Sequence, residues 1–169
     1  TSAGTVEEGN WAFVSIRYDG SNLELFKNGN QVAKSSASGE LLTDPSSMSI
    51  GAARDEDSGF IHDEFDGIID NVKAYSEPLE SSELSALYNG RDVNRSGLVG
   101  EWTFDTGSGT TAHDTSKWKN GKLGEYSGEF DGIDDSVSLS ENPAQEGFSD
   151  LTISSWIKLD DTSDGAIYD

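Results

Sequence analysis

The sequence lacks cysteine and any long apolar segment, and both absences exclude whole classes of protein. Without cysteine, neither a disulfide framework nor a metal site built on thiolates is possible. No stretch approaches the ~20 apolar residues that a membrane-spanning helix needs, and no signal peptide opens the chain. We therefore expect no membrane insertion, and we expect any secretion signal to have been removed or to lie upstream.

Basic residues are also scarce: 11 lysines and arginines stand against 32 aspartates and glutamates, a formal net charge of −21. The acidic residues are spread along the whole chain, so the entire surface should be negative. Such a surface repels phosphate backbones and anionic lipids, which argues against nucleic-acid and membrane-surface partners and favours cations. Concentrated salt shortens the screening length to ~3 Å at 1 M, and we therefore expect a salt-adapted protein.

The hydrophobic pattern of the first half predicts short antiparallel strands. In WAFVSIRY, residues 11–18, every second residue from Ala12 onward is apolar, which is the period of a half-buried strand. The pair Asn28-Gly29, after LELFK, favours a tight hairpin turn. In FDGIIDNVKAY, residues 65–75, the alternation is imperfect, which predicts a strand with a bulge.

One helix interrupts the strands. Residues 80–90, ESSELSALYNG, place Leu84 and Leu87 on one side of a helix, with Gly90 where the helix should end. Residues 91–97 read as a linker, and three further strand patterns follow in LVGEWTF, DSVSL and LTISSWIKL. Short strands, glycine-rich turns and one helix predict an all-β antiparallel sandwich with one short surface helix.

These motifs, in their order along the chain, resemble the laminin-G-like branch of the concanavalin-A-like jelly rolls. Residues 11–90, with LELFKNGNQV, SIGA, FDGIIDNVKAYSEPL and ELSALYNG, resemble the second half of such a domain. Residues 98–159, with LVGEWTFDTGSGTTAHDTSKWKNGKLG, FDGIDDSVSL and LTISSWIKL, resemble the first half of the next one. The resemblance thus divides the chain into a C-terminal half, residues 1–92, and an N-terminal half, residues 93–169.

This reversed order leaves two arrangements open. Half of a jelly roll exposes unpaired strand edges and an apolar face, so each half needs a complementary half to cover it. The linker 91–97 would let the two halves close on each other as one circularly permuted domain. Otherwise the halves of different copies pair head to tail, and the chain assembles as a repeat unit into a filament or layer.

The strand around Glu64 argues against catalysis. Glu64 and Asp66 resemble the start of the strand that carries the paired carboxylates of laminarinase-type glycosidases, whose alternation directs both groups into one cleft. Where the second catalytic carboxylate would stand, this chain has Ile68 and Ile69. We therefore expect a protein that is not an enzyme.

Aspartates in glycine-rich turns are the candidate metal ligands. Calcium takes about six to eight oxygen ligands from carboxylates and carbonyls, and such turns supply both. The resemblance implies that Asp114, in AHDTSKWKNG, and Asp70, in GIIDNV, carry a structural calcium, because the N-terminal loop and the last strand of a complete domain lie together. Asp131 and Asp134, in FDGIDD, are further candidates, and their alternative role is to bind local backbone amides in a turn.

Trp118 is the candidate ligand-binding residue. It lies in the polar segment HDTSKWKNGK, where an exposed indole can stack on a sugar ring or cover the edge of the sandwich. With the resemblance, it predicts a non-catalytic carbohydrate-binding or adhesion module, extracellular or at the cell surface, with a glycan as partner and calcium as structural cofactor. The alternative function is a structural repeat unit whose partners are neighbouring copies of itself.

Overall fold

The computed structural model describes most of the chain in seven segments. These segments are residues 5–39, 49–54, 61–105, 111–116, 128–131, 136–138 and 149–160. The strands are β1 (Trp11–Tyr18), β2 (Asn22–Lys27), β3 (Asn30–Ser36), β4 (Ser49–Ile50), β5 (Ala53–Arg54), β6 (Ile61–His62), β7 (Asp66–Tyr75), β8 (Leu98–Trp102), β9 (Gly128–Asp131), β10 (Val137–Ser138) and β11 (Leu151–Leu159), and the helix is α1 (Ser81–Tyr88).

Seven strands form one antiparallel sheet, the main sheet. Its order is β3-β2-β1-β11-β7-β8, and β9 pairs with the first part of β7, beyond the reach of β8. Two short strand pairs, β4 with β10 and β5 with β6, lie outside this sheet. The prediction of an antiparallel all-β sandwich with one short helix is confirmed.

One face of the main sheet is covered by the short pair β4–β10. Ala12 and Val14 of β1 and Ile157 of β11 pack with Ile50 of β4, and Val137 of β10 packs against the same cluster. These strands therefore form the second layer of the sandwich, and the apolar residues predicted from the alternation of β1 face it.

The opposite face of the main sheet is covered by α1. Leu84 and Leu87 of the helix pack with Phe13 of β1 and Tyr75 of β7. Strand β1 is therefore buried on both faces over Ala12–Ser15, although its alternation predicted one buried face. No helix within the described segments is long and apolar enough to cross a bilayer.

A bulge in β7 decides which side chains face α1. Asn71 has a φ of 52°, and the register against β11 shifts there, so that Trp156 is opposite Asp70 and Ser154 is opposite Lys73. The extra residue puts Asp70 and Lys73 on the same face of the sheet as Trp156. The bulge predicted from the imperfect alternation is therefore present, and it shapes the candidate site.

The last described strand occupies the middle of the main sheet. β11 pairs with every residue of β1, Trp11–Tyr18, and with β7 on its other side. Strands from residues 1–92 and from residues 93–169 therefore share one sheet within a single chain. The assignment of these segments to halves of two successive repeats stays a prediction.

Candidate functional site

Asp70 and Asp105 form an acidic pair beside the middle of β7, between the parts of β7 that pair with β8 and β9. Val72 of β7 is opposite Trp102, the last residue of β8. Because the strands are antiparallel, Asp70 lies beside the segment that follows β8, which contains Asp105. The Oδ1 atoms of Asp70 and Asp105 are each buried without a hydrogen-bond partner. Burial raises the pKa of the Asp70 carboxyl, and the nearby charge of Asp105 adds to the increase. The pair therefore has oxygen atoms that a cation or a proton would satisfy.

The chemistry of this pair fits a calcium ion. Calcium prefers carboxylate and carbonyl oxygens, and its charge keeps neighbouring carboxylates ionised. Within the described segments, however, no group of three or more Asp, Glu or His side chains is arranged to hold a metal. Asp70 and Asp105 would thus supply two ligands, and carbonyl oxygens, water or the rest of the chain would supply the others.

Asp114, a predicted metal ligand, holds a turn in this structure. Its Oδ1 atom accepts hydrogen bonds from the backbone N–H groups of Glu101 at 3.0 Å and Ser116 at 2.8 Å, and its Oδ2 atom accepts from the Ser116 hydroxyl at 3.0 Å. Asp114 also pairs with Trp102 through the backbone. These bonds attach residues 111–116 to the edge of β8, and a metal role for Asp114 stays a prediction.

The remaining predicted site residues lie elsewhere in the chain. Asp131 is exposed at the end of β9, opposite Asp66 of β7. Four strand positions separate Asp66 from Asp70, which is roughly 13 Å along the backbone. Asp134 and Trp118 lie outside the described residues, so their metal-binding and ligand-binding roles stay predictions.

A cleft of about 390 Å³ opens between the loop after α1 and the main sheet, and we name it the helix-side cleft. Phe13, Tyr75 and Trp156 contribute aromatic rings to its lining. The Trp156 ring packs 5.5 Å from that of Phe13 and 5.7 Å from that of Tyr88. Asn71 also lines the cleft, is 5% exposed, and has an Nδ2 atom without a hydrogen-bond partner. Phe13 and Tyr75 are buried, so the cleft combines the partly exposed ring of Trp156 with an unsatisfied donor.

The lining of the helix-side cleft contains three basic residues. Three of the chain's 11 basic residues line it, Lys73, Arg91 and Arg95, together with two acidic residues, Asp92 and Glu101. The lining therefore has a small positive excess in a chain whose net charge is −21. Such a local contrast favours ligands that carry acceptor oxygens or negative charge.

Glu101 holds two of these cations in place. It is 0% exposed and binds the Lys73 ammonium and the Arg95 guanidinium, whose Nη2 atom lies 2.7 Å from Glu101 Oε2. Burial opposes ionisation of Glu101, but the bonds from Arg95 and Lys73 outweigh it and keep its pKa below the usual value. The Thr115 hydroxyl donates a further bond to Oε2 at 3.3 Å. Glu101 is therefore ionised and fixed in one orientation.

A second buried glutamate has the same arrangement. Glu24 of β2 is 3% exposed, and its carboxylate lies 2.6 Å from Arg17 and 3.1 Å from Lys34. Burial opposes its ionisation, but the bonds from Arg17 and Lys34 hold its pKa below the usual value. Arg17 also donates to the carbonyl oxygen of Leu79 at 2.6 Å, which ties the sheet to the segment before α1.

Glu101 and its partners were not predicted from the sequence. Glu101 stands inside the apolar strand pattern LVGEWTF, and Lys73 stands inside NVKAY in the same way. A charge within an apolar strand signals a buried ion pair, because an unpaired buried charge costs too much free energy. The partner itself is set by register, which places Lys73 opposite Glu101, and register could not be read from the sequence.

A family model described as the Concanavalin A-like lectin/glucanases superfamily, of laminin-G type, matches residues 1–85. This range is half of the chain and runs from before β1 into α1. It includes the motifs LELFKNGNQV and FDGIIDNVKAY. No curated protein and no solved structure matches the chain.

Proposed function

The chain belongs to the concanavalin A-like lectin/glucanase superfamily, and we propose that it is a non-catalytic carbohydrate-binding or adhesion module. We propose further that the module acts outside the cell and is part of a salt-adapted protein. The match over residues 1–85 confirms the laminin-G-like resemblance, and the fold is a concanavalin-A-like β-sandwich. The net charge of −21 supports the salt adaptation. Since the superfamily includes both lectins and glucanases, binding and catalysis need separate arguments.

The helix-side cleft is the observation that carries the binding proposal. Sugars present apolar ring faces to aromatic side chains and hydroxyl oxygens to hydrogen-bond donors. The cleft offers the partly exposed ring of Trp156, with the unsatisfied Nδ2 atom of Asn71 beside it. Its volume of about 390 Å³ is within the usual range of small-ligand sites. Trp118, which the sequence predicted as a ligand-binding residue, is the further aromatic side chain in this proposal.

The carboxylates of the cleft are poorly suited to glycoside hydrolysis. A glycosidase needs two carboxyl groups, one of which has a raised pKa so that it can donate a proton. Glu101 has the opposite property, since its pKa is lowered and two cations hold it. Glu64 and Asp66, the start of the catalytic-like pattern, do not line the cleft. These observations support a binding function without catalysis.

Calcium at Asp70 and Asp105 is the proposed structural cofactor. The buried and unsatisfied Oδ1 atoms of both residues support this assignment. A calcium ion there would neutralise the pair and fasten the bulge of β7 to the chain after β8. Because the bulge also carries Asn71 into the helix-side cleft, loss of calcium would weaken the cleft as well as the fold.

A glycan array read in concentrated salt with calcium tests the binding function. We expect Arg91→Ala, at the helix-side cleft, and Trp118→Ala, at the predicted platform, to weaken binding about tenfold or more, a change of ~1.4 kcal/mol. Lys158→Ala removes one positive charge from outside the cleft lining and is the matched control, which should bind as the wild type does. An array on which no glycan binds would contradict the carbohydrate-binding function.

The mass of the chain in solution separates this function from the alternative of head-to-tail assembly. The position of β11 between β1 and β7 of the same chain supports a closed monomer. Light scattering in concentrated salt should therefore give the mass of one chain at every concentration. A mass that grows with concentration would favour the repeat unit that forms a filament or layer.

A further inference from the structure

The loop between α1 and β8 contains the sequence Asn94-Arg95-Ser96. Of the nine asparagines in the chain, Asn94 is the one that a serine or threonine follows two positions later. An asparagine in this pattern, with any residue except proline between, is the acceptor of N-linked glycosylation in proteins that leave the cytoplasm. The pattern is short and also arises by chance. Whether Asn94 can act as an acceptor therefore depends on whether the loop exposes its side chain.

The Arg95 side chain points into the protein, and Asn94 and Ser96 on either side of it are at the surface. Its guanidinium lies 2.7 Å from Glu101 Oε2 and donates to the carbonyl oxygen of Ser116 at 3.2 Å. Asn94 and Ser96, on either side of it, are both exposed. The buried ion pair thus presents the acceptor amide and the hydroxyl together to solvent.

The Asn94 side chain forms a local turn by accepting a hydrogen bond from the backbone of Ser96. Its Oδ1 atom accepts a hydrogen bond from the Ser96 backbone N–H at 3.0 Å. Its Nδ2 atom makes no hydrogen bond in the part of the chain that the structure describes. The Ser96 hydroxyl makes one long bond, 3.4 Å to Glu77 Oε1, which an enzyme donor or acceptor can replace. Both groups are therefore accessible in the folded chain.

Asp92 lies two positions before Asn94 and is exposed as well. The segment from Asp92 to Ser96 therefore presents three exposed polar side chains, those of Asp92, Asn94 and Ser96.

We propose that Asn94 is an N-glycosylation site whose donor is an oligosaccharide linked to a lipid phosphate. The Nδ2 atom forms a bond to the anomeric carbon of the sugar, and the bond from that carbon to the phosphate oxygen breaks. The lipid phosphate leaves with the electron pair, and one Nδ2 proton passes to a base of the transferase. The inference rests on the proposed extracellular function, because these donors are used outside the cytoplasm. Since Asn94 does not line the helix-side cleft, the glycan would stand beside the cleft without filling it.

Transfer in vitro to the folded, full-length chain tests this site. The chain is purified from a host that adds no glycan, incubated with a single-subunit oligosaccharyltransferase and a lipid-linked oligosaccharide, and measured by mass spectrometry. We expect the mass to increase by one oligosaccharide, and we expect Asn94→Gln and Ser96→Ala to abolish the increase and Ser96→Thr to retain it. Asn30→Gln is the matched control, because Asn30 is an exposed residue at the start of β3 and is followed two positions later by Val32. It should leave transfer unchanged.

Three results would overturn the proposal. Transfer to a peptide of residues 88–100 but not to the folded chain means that the loop does not present Asn94, and transfer to neither means that the sequence is no acceptor. Transfer that persists in Asn94→Gln means that another residue is modified. Glycan-array binding uses the unmodified chain, so a chain that accepts the oligosaccharide but binds no glycan contradicts the lectin function alone. A chain that binds glycans but accepts no oligosaccharide contradicts only the acceptor site.

Discussion

Asp66 on β7 and Asp131 on β9 lie directly opposite each other in the main sheet. Opposed residues on antiparallel strands have Cβ atoms about 5 Å apart on the same face. Two carboxylates in this arrangement repel each other unless a cation lies between them. A like-charge contact between the two carboxylates and the calcium site that the sequence predicted at Asp131 would respond differently to mutation.

Replacing Asp131 distinguishes these cases. We expect Asp131→Asn to raise the free energy of unfolding by about 0.2–1 kcal/mol in dilute salt, because it removes one of two opposed charges. The gain should disappear near ~1 M KCl, where charges are screened within ~3 Å. Urea titrations with and without calcium measure the effect, and Asp92→Asn is the control for loss of one negative charge elsewhere. A variant that instead loses calcium-dependent stability would support the metal role of Asp131.

The Asp70–Asp105 pair predicts opposite effects of one substitution with and without calcium. Burial raises the folded-state pKa of Asp70, so ionised Asp70 lowers stability above that pKa, and the loss is recovered as the pH falls towards the unfolded-state value. In chelator at neutral pH, Asp70→Asn should therefore stabilise the chain. In calcium at about a hundredfold excess over Kd, the wild type should gain ~2.7 kcal/mol and the variant nothing. Melting curves at constant high salt measure the shift in thermal midpoint that calcium causes, and magnesium is the ionic control. A midpoint that chelation leaves unchanged would contradict the assignment of calcium to Asp70 and Asp105.

Acid should destabilise the chain through Glu101 and Glu24. Although burial opposes their ionisation, bonds from arginine and lysine hold both pKa values below the usual 4.5. A lowered folded-state pKa adds stability above the unfolded-state value and loses it as the pH falls through the folded-state value. We therefore expect the free energy of unfolding to fall progressively below pH 4.5 in urea titrations.

Replacing Glu101 should remove part of this acid dependence. At neutral pH, Glu101→Gln should lower the free energy of unfolding by ~3 kcal/mol, because Lys73 and Arg95 keep their charges in a largely buried position. Glu129→Gln, at an exposed position of β9, is the matched control and should change it by less than ~0.5 kcal/mol. Equal effects of the two substitutions would show that the ion pairs of Glu101 contribute nothing to stability.

Salt should stabilise the whole chain. With a net charge of −21, repulsion between carboxylates acts across the molecule at ~10 mM salt, where the screening length is ~30 Å. We expect the thermal midpoint to rise as KCl increases from about 0.05 M to about 2 M. KCl is preferred to sulfate, because sulfate also strengthens apolar burial. A midpoint that does not change with KCl would contradict the salt adaptation.

Gly67 of β7 lies against the backbone of Lys158 and Leu159 in β11. A Cβ atom at this position would clash with the carbonyl oxygen of Lys158 and lie 3.0 Å from the Cα atom of Leu159, at a φ of +147°. Gly67→Ala should therefore lower the free energy of unfolding by more than ~3 kcal/mol, since strain and a backbone clash add together. Gly39 has a φ of +141° in open space, so Gly39→Ala measures the strain alone. Urea titrations that give equal losses would contradict the close pairing of β7 with β11.

The local parts of the fold could be predicted from the sequence, but the contacts between distant parts could not. Alternation and turn residues predicted strands over β1 and β7 and the helix that contains Leu84. Burial of Phe13 and Ser15 was missed, because these residues face away from the alternating apolar set and become buried only when α1 covers their side of the sheet. Neighbours in the main sheet, such as Trp11 and Lys158, are far apart in the chain, and no local pattern specifies them.

The same limit applies to the candidate site. Asp70 could be proposed from its motif, but Asp105 could not, because in FDTGSG it is one more acidic residue in a glycine-rich turn. Only the register of Val72 against Trp102 brings the two carboxylates together beside the middle of β7. For Asp114, the sequence provided the turn and the carboxylate, but its hydrogen bonds to Glu101 and Ser116 follow from where the turn docks.

The central position of β11 has a consequence for synthesis. A ribosome makes β1 and β7 long before it reaches Leu151–Leu159, so the nascent chain carries two unpaired edges and an incomplete core until then. Open edges can pair with other chains, and pairings between distant segments form slowly. During this interval the excess of acidic residues already present in the nascent chain keeps neighbouring nascent chains apart. The acidity that weakens the finished fold in dilute salt thus protects the unfinished one from aggregation.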